Sequence, residues 1–335
     1  MSSFIREIIK LGDIEENNSF LNVSYGVDES FLFGAAISIT SVLMNNRKLR
    51  LSFHVFTDYI DDDYITRFNE LSEQFNTNIN IYLIDPKAFS SLPTSQIWSY
   101  ATYFRLLSFD YLSNFISSVL YLDADIVCKG QLDYIYNMEF DGKFAAVVLD
   151  VSDMQSKSAE RLNWPELVGK YFNAGMVYVN LAAWAEYDLT NKSLRLLRGE
   201  SEYGYLKYLD QDALNISFNM NNIYLPRDYN CIYTIKNELK AKNQNEYKEI
   251  IKDSTVFIHY TGATKPWHEW ANYPSSQYFL QAWRISPWKQ RPLKNAEKIV
   301  EWKKKYKHEF KQGRYLKAVI SGIKYSLVKR NKGNK

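Results

Sequence analysis

The sequence predicts an α/β fold built around a parallel sheet. Strand and helix patterns alternate through the first half of the chain, and carboxylates follow several of the predicted strands. The chain has 335 residues, of which 46% are hydrophobic and 24% are charged. This composition is typical of a globular protein with a sizeable core.

Five alternating elements are predicted before residue 85. In chain order they are a strand at 20–27, a helix at 30–45, a strand at 51–57, a helix at 61–75 and a strand at 78–84. The strands are rich in β-branched and aromatic residues, and the helices carry apolar residues at helical spacing. Asp61 and Asp62 stand where carboxylates favour a helix N-terminus. This alternation favours parallel strands joined by right-handed crossovers.

The second half of the chain continues with shorter elements and then changes character. The predicted elements are strands at 144–150, 172–181 and 256–261 and helices at 190–198 and 212–218. After Ser286, two prolines (Pro287 and Pro292) precede a basic and aromatic segment with a helical pattern. We therefore expect a main domain at residues 20–285 and a C-terminal helical segment at residues 286–335.

The charge of the chain is unevenly distributed. The net charge is +3, but residues 289–335 contain 16 Lys or Arg against three Glu, a balance of +13 that leaves −10 for the rest. Leu316, Val319, Ile320, Ile323 and Leu327 fall on one stripe of the helical pattern. A basic amphipathic helix is typical of a segment that lies on an anionic membrane surface. A solvated helix, or one docked on the acidic body, is the alternative.

The sequence favours a cytoplasmic protein. Two cysteines, Cys128 and Cys231, make no disulfide framework and fit reduced thiols. The first twenty residues lack a signal-peptide pattern, and no run of 18 apolar residues is present. No recognised nucleic-acid-binding motif accompanies the basic tail, so we expect no nucleic-acid partner.

Two carboxylates stand one residue apart directly after an apolar run, in YLDADIV. Aspartate is a poor strand former, and burying Asp123 and Asp125 as unpaired charges would destabilise the fold by several kcal/mol each. Residues i and i+2 of a strand point to the same face, so both carboxylates could hold one divalent cation. Oxygen ligands suit Mg²⁺ or Mn²⁺. The same spacing also fits a solvated turn.

Other carboxylates are predicted at the same rim of the sheet. Ligands of open α/β sheets gather beyond the carboxyl ends of the strands. Asp28 follows the first predicted strand, and Asp150 ends the strand at 144–150. Asp150 fits a contact with donor or acceptor and equally fits a helix cap or turn. Neither a GxGxxG pattern nor a P-loop is present.

His259 is one of four histidines and stands in FIHYTGATKPW. A lone histidine in an apolar strand is more often a hydrogen-bonded core residue than a metal ligand. Here Gly262 would allow the backbone to approach a ligand closely, and Lys265 supplies a compact positive charge. Together these residues indicate a site for a metal-bridged diphosphate.

Four motifs occur in order: YLDADIV, FNAGMVYVNL, LDQDALN and HYTGATKPWHEW. Through them the chain, from about Asn22 to its C-terminus, resembles the retaining nucleotide-sugar glycosyltransferases of family 8. Within that family it is similar to the lipopolysaccharide core α-hexosyltransferases of Gram-negative bacteria. The resemblance implies a GT-A fold, a Rossmann-like mixed sheet flanked by helices, with a UDP-sugar as donor. It implies a cytoplasmic enzyme, peripheral on the inner membrane, with a lipid A-linked core oligosaccharide as acceptor.

The resemblance also implies the roles of particular residues. Asp123, Asp125 and His259 would bind Mn²⁺, with Ala124 between the carboxylates at the donor site. Lys265 would hold the diphosphate, with Gly262 in the same loop.

Further donor contacts are implied at four places in the chain. Asp28 would touch the uracil and ribose, and Arg105 of TYFRL would reach the donor. The base slot would be shaped by Tyr25, Gly26, Val27 and Phe31. The turn of Asn173, Ala174 and Gly175 would line the sugar, although these residues also fit a simple tight turn. Asp210 and Gln211 would lie beside the transferred hexose as the catalytic pair.

These residues would stabilise the leaving group and limit the possible routes of attack. Breaking the sugar–phosphate bond leaves negative charge on UDP, which a divalent cation and Lys265 would stabilise. Retention of configuration needs a double displacement or attack on the face of the leaving group. Asp210 and Gln211 are the candidate nucleophiles by position, but an amide is a poor nucleophile, so we favour same-face attack. Asp210 could instead cap the following helix.

Two alternative functions remain at this point. LDADIV also fits a haloacid-dehalogenase-like phosphatase that forms an aspartyl-phosphate on Asp123, although HYTGATKPW has no role there. A peripheral membrane protein that binds a nucleotide sugar without turnover is the other. Glucose and galactose differ at one hydroxyl, and the sequence does not choose between them.

Overall fold

Two sheets organise the computed structural model, which describes residues 4–15, 19–90, 92–93, 100–200 and 202–333. Within these residues the strands are β1 (Ile5–Leu11), β2 (Leu21–Val27), β3 (Leu51–Thr57), β4 (Asn78–Ile84), β5 (Ser118–Leu122), β6 (Ile126–Cys128), β7 (Ala145–Leu149), β8 (Phe172–Asn180), β9 (Asn222–Tyr224), β10 (Cys231–Tyr233) and β11 (Phe257–Tyr260). The main sheet has the order β1-β4-β3-β2-β5-β8-β7-β9, and β10-β11-β6 form a smaller one.

The main sheet is mixed, with a parallel centre. Strands β2, β3 and β4 pair in parallel, and β5 joins β2 in parallel, as the alternation of elements predicts. Strand β8 runs antiparallel to both β5 and β7, and β1 is an antiparallel edge strand on β4. β1 was not predicted, because its sequence IREIIKL mixes charged and apolar residues and half of it faces solvent.

The helices lie between and beside these strands. Within the described residues they are α1 (Glu29–Asn45), α2 (Asp62–Phe75), α3 (Phe104–Leu112), α4 (Asp133–Tyr136), α5 (Ser152–Arg161), α6 (Leu181–Glu186), α7 (Leu189–Leu197), α8 (Leu209–Phe218), α9 (Gln277–Ile285), α10 (Ile299–Lys311) and α11 (Tyr315–Gly333). Asp61 caps α2 by accepting from Tyr64 N at 2.8 Å, which confirms the predicted N-terminus. Helix α8 begins three residues earlier than predicted, so Asp210 and Gln211 lie in its first turn.

The two faces of the main sheet carry two hydrophobic clusters. Along β5, Leu120 and Leu122 face the cluster that contains α1 and α9, whereas Val119 and Tyr121 face the cluster that contains α3 and α6. This alternation follows from the two-residue period of a strand. Both faces are therefore buried, which explains the nearly continuous apolar runs of the central strands.

The C-terminal part of the chain divides into a buried beginning and two paired helices. Trp288 is fully buried in the first cluster, with its ring 4.9 Å from Phe68. Helices α10 and α11 then pack against each other, and Ala318 and Ser321 of α11 are buried in that contact. No helix among the described residues has the length and apolar character needed to cross a membrane.

The burial of Trp288 predicts that the first residues after α9 stabilise the main domain. Trp288→Ala should lower the free energy of unfolding by about 3–5 kcal/mol, because a large cavity replaces a buried ring. Urea denaturation measures this loss. The control is Phe115→Ala, since Phe115 is 68% exposed and its truncation should change stability by less than about 0.5 kcal/mol. An equal loss of unfolding free energy in the two variants would show that Trp288 does not stabilise the main domain.

Candidate active site

The strand order of the main sheet reverses between β2 and β5. Ligands of open α/β sheets bind at such a point, beyond the carboxyl ends of the strands. Asp28 follows β2, and Asp123 follows β5. The chain then crosses through Asp125 into β6 of the small sheet. Asp123 N donates to Gly175 O at 2.8 Å, and Asp125 O accepts from Tyr260 N at 2.9 Å, so both sheets hold the acidic turn.

Asp123, Asp125 and His259 form a cluster that could hold a metal ion. Each offers one ligand atom, and these atoms lie within 4.8 Å of one another. His259 Nε2 lies 3.2 Å from Asp125 Oδ1 and 3.9 Å from Asp123 Oδ2. His259 Nδ1 donates to Asn230 Oδ1 at 3.0 Å, which turns Nε2 toward the carboxylates. Two carboxylates and an imidazole suit Mn²⁺ and also accept Mg²⁺.

Three basic side chains balance the charge of the acidic pair. Lys265 Nζ pairs with Asp125 Oδ2, and Arg105 Nη2 lies 2.9 Å from Asp123 Oδ1. Burial raises the pKa of Asp125, but Lys265 and His259 outweigh it and lower that pKa overall. Burial lowers the pKa of His259, but Asp125 and then Asp123 outweigh it and raise that pKa overall. The cluster therefore favours the ionised form of the Asp125 carboxylate.

Arg105 joins the acidic pair to the DQD segment. Its Nε lies 2.6 Å from Asp210 Oδ2, and its guanidinium stacks 4.4 Å from the ring centre of Tyr121. Thr102 Oγ1 donates to the other oxygen of Asp210 at 2.5 Å. Burial raises the pKa of Asp210 and outweighs the lowering by Arg105 and Thr102. Asp210 lies inside the first turn of α8, which begins at Leu209, so its predicted alternative role as the cap of that helix is wrong.

Gln211 is held by hydrogen bonds from both ends of its amide. Its Oε1 accepts from Ala174 N at 3.0 Å, and its Nε2 donates to Asp150 Oδ2 at 3.1 Å and to Tyr171 Oη at 3.0 Å. Tyr171 in turn donates to Asp212, which receives a two-pronged ion pair from Arg161. The Gln211 amide is therefore fixed at the rim beside the turn of residues 173–175.

Asn173 connects this network to His259. Its Oδ1 accepts from Asn230 Nδ2 at 2.9 Å and from Gly175 N at 3.0 Å, and its Nδ2 lies 3.4 Å from Asp150 Oδ2. Gly175 is needed because a Cβ there would lie 2.3 Å from His259 Cε1. The NAG turn thus supports His259 in its position beside the two carboxylates.

The residues predicted for a base slot are divided between rim and core. Asp28 Oδ1 accepts from Phe31 N at 3.2 Å and from Ser30 Oγ at 2.6 Å, so Asp28 caps α1. Phe31 is partly exposed and meets Trp267 edge-on at 5.7 Å. Tyr25 is fully buried, and its hydroxyl lies 3.0 Å from Ser38 Oγ. The prediction that the Tyr25 side chain lines the slot is therefore wrong, because Tyr25 packs under α1.

Val27 and the two predicted glycines, Gly26 and Gly262, differ in their surroundings. Val27 is buried at the end of β2, whereas Gly26 is partly buried and packs closely against α3, since a Cβ on Gly26 would lie 2.9 Å from Phe104 Cβ. Gly262 has a φ of +88°, a conformation that favours glycine, and it begins the loop that carries Lys265.

Several site residues were not found from the sequence. Asn230, Tyr171 and Arg161 stand in segments without a motif, whereas Thr102 lies in TYFRL and contacts Asp210 without having been assigned a role. Asp212 lies in the DQD segment, where its pairing with Arg161 was likewise not predicted.

Comparisons with known proteins agree with this architecture. The family model "Glycosyl transferase family 8" matches residues 22–271, and "Glycosyl transferase family 8 C-terminal" matches residues 273–329. A lipopolysaccharide 1,2-glucosyltransferase of Escherichia coli is 50% identical over 94% of this chain and 93% of its own. A lipopolysaccharide 1,3-galactosyltransferase of Salmonella typhimurium is 40% identical over 92% of this chain and 89% of its own.

A solved structure supports the fold. The galactosyltransferase LgtC, in complex with donor and acceptor sugar analogues, matches with a TM-score of 0.63 at 21% identity, over 78% of this chain and 95% of its own. The mixed sheet and the acidic turn at its reversal point therefore define a glycosyltransferase of the GT-A fold. The chain belongs to glycosyl transferase family 8. This membership removes the phosphatase alternative for Asp123.

The close approach of Gly175 to His259 predicts a metal-binding defect. Gly175→Ala should displace the imidazole and weaken Mn²⁺ binding by about tenfold or more, an effect expected for a disturbed ligand. Calorimetric titration with Mn²⁺ measures it. Gly322→Ala is the control, because a Cβ at Gly322 meets no atom within 4 Å. Unchanged Mn²⁺ affinity in a folded Gly175→Ala variant would remove His259 from the metal site.

Proposed function

We propose that the protein transfers glucose or galactose from a UDP-sugar to the growing lipopolysaccharide core. The reaction is metal-dependent and retaining and forms an α-glycosidic bond. The observation that carries the proposal is the cluster of Asp123, Asp125, His259 and Lys265 at the reversal point of the sheet. The printed activities of the relatives, glucosyl and galactosyl transfer to lipopolysaccharide, support the substrate class.

The cluster suits a nucleoside diphosphate leaving group. Asp123, Asp125 and His259 would hold Mn²⁺ or Mg²⁺, which supplies positive charge for the diphosphate. Lys265 Nζ already lies in this cluster, where it contacts Asp125 and donates to Tyr260 O at 3.0 Å. A lysine here can stabilise the negative charge that develops as the sugar–phosphate bond breaks.

The hydrogen bonds of the DQD segment support same-face attack. Both oxygens of Asp210 are engaged, one by Arg105 and one by Thr102. The Gln211 amide is held at both ends and is a weak nucleophile. A double displacement would require Asp210 to abandon a buried ion pair. We therefore assign Arg105 and Asp210 to positioning and charge balance, with Gln211 oriented beside the transferred hexose.

Turnover of UDP-glucose and UDP-galactose tests the proposal directly. The assay measures UDP release on a truncated lipopolysaccharide core, with and without Mn²⁺, for the wild type and Asp125→Asn. We expect metal-dependent turnover with one donor preferred. Asp125→Asn should lose about 10²-fold or more, because a metal ligand and a charge are removed. No turnover with either donor across a range of core acceptors would refute the proposal and favour the alternative, a protein that binds a nucleotide sugar without turnover.

We also propose that the protein lies on the cytoplasmic face of the inner membrane through α11. The apolar stripe that the sequence predicts is solvent-exposed, with exposed fractions from 56% to 84% at Leu316, Val319, Ile320, Ile323 and Leu327. The opposite face of α11 is buried on α10. An exposed apolar stripe flanked by lysines fits the headgroup region of an anionic bilayer.

Vesicle binding tests this location. The double variant Ile320→Ser and Ile323→Ser should lower partitioning onto phosphatidylglycerol-containing vesicles by about tenfold or more, because two apolar side chains are lost from the bilayer. Cosedimentation measures the partition constant, and pure phosphatidylcholine vesicles should bind the wild type more weakly. Phe115→Ser, at an exposed apolar residue outside the tail, is the matched control. Equal partitioning of the double variant and the wild type would refute the assignment.

A further inference from the structure

The loop that carries Lys265, residues 261–273, is flanked by the C-terminal segment. We name it the Lys265 loop. Lys294 N donates to Trp267 O at 2.9 Å, and Glu269 N donates to Lys294 O at 3.0 Å. The loop has no regular secondary structure of its own apart from this pairing. Its conformation therefore depends on neighbours that follow it in the chain.

Helix α10 contacts the Lys265 loop through His308. This side chain is fully buried, with Nδ1 2.8 Å from Tyr273 Oη and Nε2 3.3 Å from Thr264 Oγ1. Thr264 directly precedes Lys265. Burial and the nearby Lys304 lower the pKa of His308 to about 4, so the ring is neutral at pH 7 and bridges two hydroxyls of the loop.

Lys305 of α10 and Gln312, the residue directly after α10, also hold the loop. Lys305 Nζ lies 3.1 Å from Glu269 Oε2, and Gln312 Nε2 donates to Trp270 O at 2.8 Å. Residues 305, 308 and 312 are three and four positions apart, the spacing of one helical face. The exposed face of the helix carries Lys303 and Lys307 instead.

The contacts continue from Trp270 to the backbone of Lys265. The Trp270 ring stacks on His268 at 4.2 Å, and His268 Nδ1 accepts from Lys265 N at 3.1 Å. Lys265 is thus held from both sides, by Thr264 before it and by His268 after it. Both supports end on α10.

We propose that α10 is a positioning element of the donor site, with His308 as its principal residue. It holds the Lys265 loop in the conformation that directs Lys265 Nζ toward the diphosphate. The proposal rests on the proposed function for the role of Lys265. It assigns α10 to donor binding, in contrast to α11, whose apolar stripe faces away from the body. A tail that served only for membrane attachment would leave donor binding independent of His308.

Amide substitutions at His308 separate the two contacts. His308→Gln places an amide near the position of Nε2 and retains the contact with Thr264. His308→Asn reaches only the position of Nδ1 and Tyr273. We expect His308→Asn to raise the donor KM and the Kd for UDP by about tenfold, since displaced binding groups cause losses of this order or more. His308→Gln should recover most of that loss.

The assay uses full-length protein, Mn²⁺, UDP or UDP-hexose, and a water-soluble core oligosaccharide, so that membrane binding does not enter. The acceptor KM should stay within about twofold of the wild type in both variants, because the proposed role of Lys265 concerns the donor diphosphate. Lys307→Ala, on the exposed face of the same helix, is the control and should match the wild type. Lys305→Met tests the second anchor if His308→Asn does not fold.

Hydrogen exchange gives a readout that does not depend on activity. Amides of residues 262–270 should exchange faster in His308→Asn than in Lys307→Ala, and His308→Gln should restore their protection. Unchanged exchange together with unchanged donor KM in folded variants would overturn the positioning role. Lower thermal stability with equal donor and acceptor effects would also overturn it. A wild type that neither binds UDP nor turns over would refute the proposed function, while exchange would still decide whether α10 holds the loop.

Discussion

The structure depends on how the two carboxylates at the junction of the sheets are balanced. Asp123 and Asp125 leave the main sheet at its reversal point, and Asp125 is largely buried there. Unpaired charges at this depth would be strongly unfavourable. Arg105, Lys265 and His259 supply the balance, each from a different element. Because these elements must converge on one turn, the charge requirement also fixes the relative placement of the two sheets.

The sequence predicted the parts of the fold and site that are encoded by local pattern. The parallel strands, α1, α2 and the acidic pair follow from periodicity and from the position of charge after apolar runs. His259 was recognised because Gly262 and Lys265 follow it closely. Contacts between distant segments could not be predicted in this way. Asn230 orients His259 across 29 positions in the chain, and nothing in its own neighbourhood indicates that role.

The errors have a similar physical origin. Tyr25 lies three residues before Asp28, but it is inside β2, both faces of which are covered, and its ring packs under α1, where its hydroxyl meets Ser38. Asp210 resembles a helix cap in sequence, but Arg105 pairs with it from α3. In both cases a tertiary contact decides the role of a residue whose local pattern allows several. The same reasoning separates the two tail helices, since only the structure shows that α10 is docked and that the stripe on α11 is exposed.

A divalent cation and a nucleoside diphosphate are proposed to share the cluster in which Lys265 now pairs with Asp125. A crystal structure of the protein with Mn²⁺ and UDP tests it most directly. We expect Mn²⁺ bound by Asp123, Asp125 and His259, with Lys265 Nζ moved from Asp125 to a phosphate oxygen. UDP bound away from these residues, or Lys265 still paired with Asp125 while UDP is bound, would contradict this binding mode.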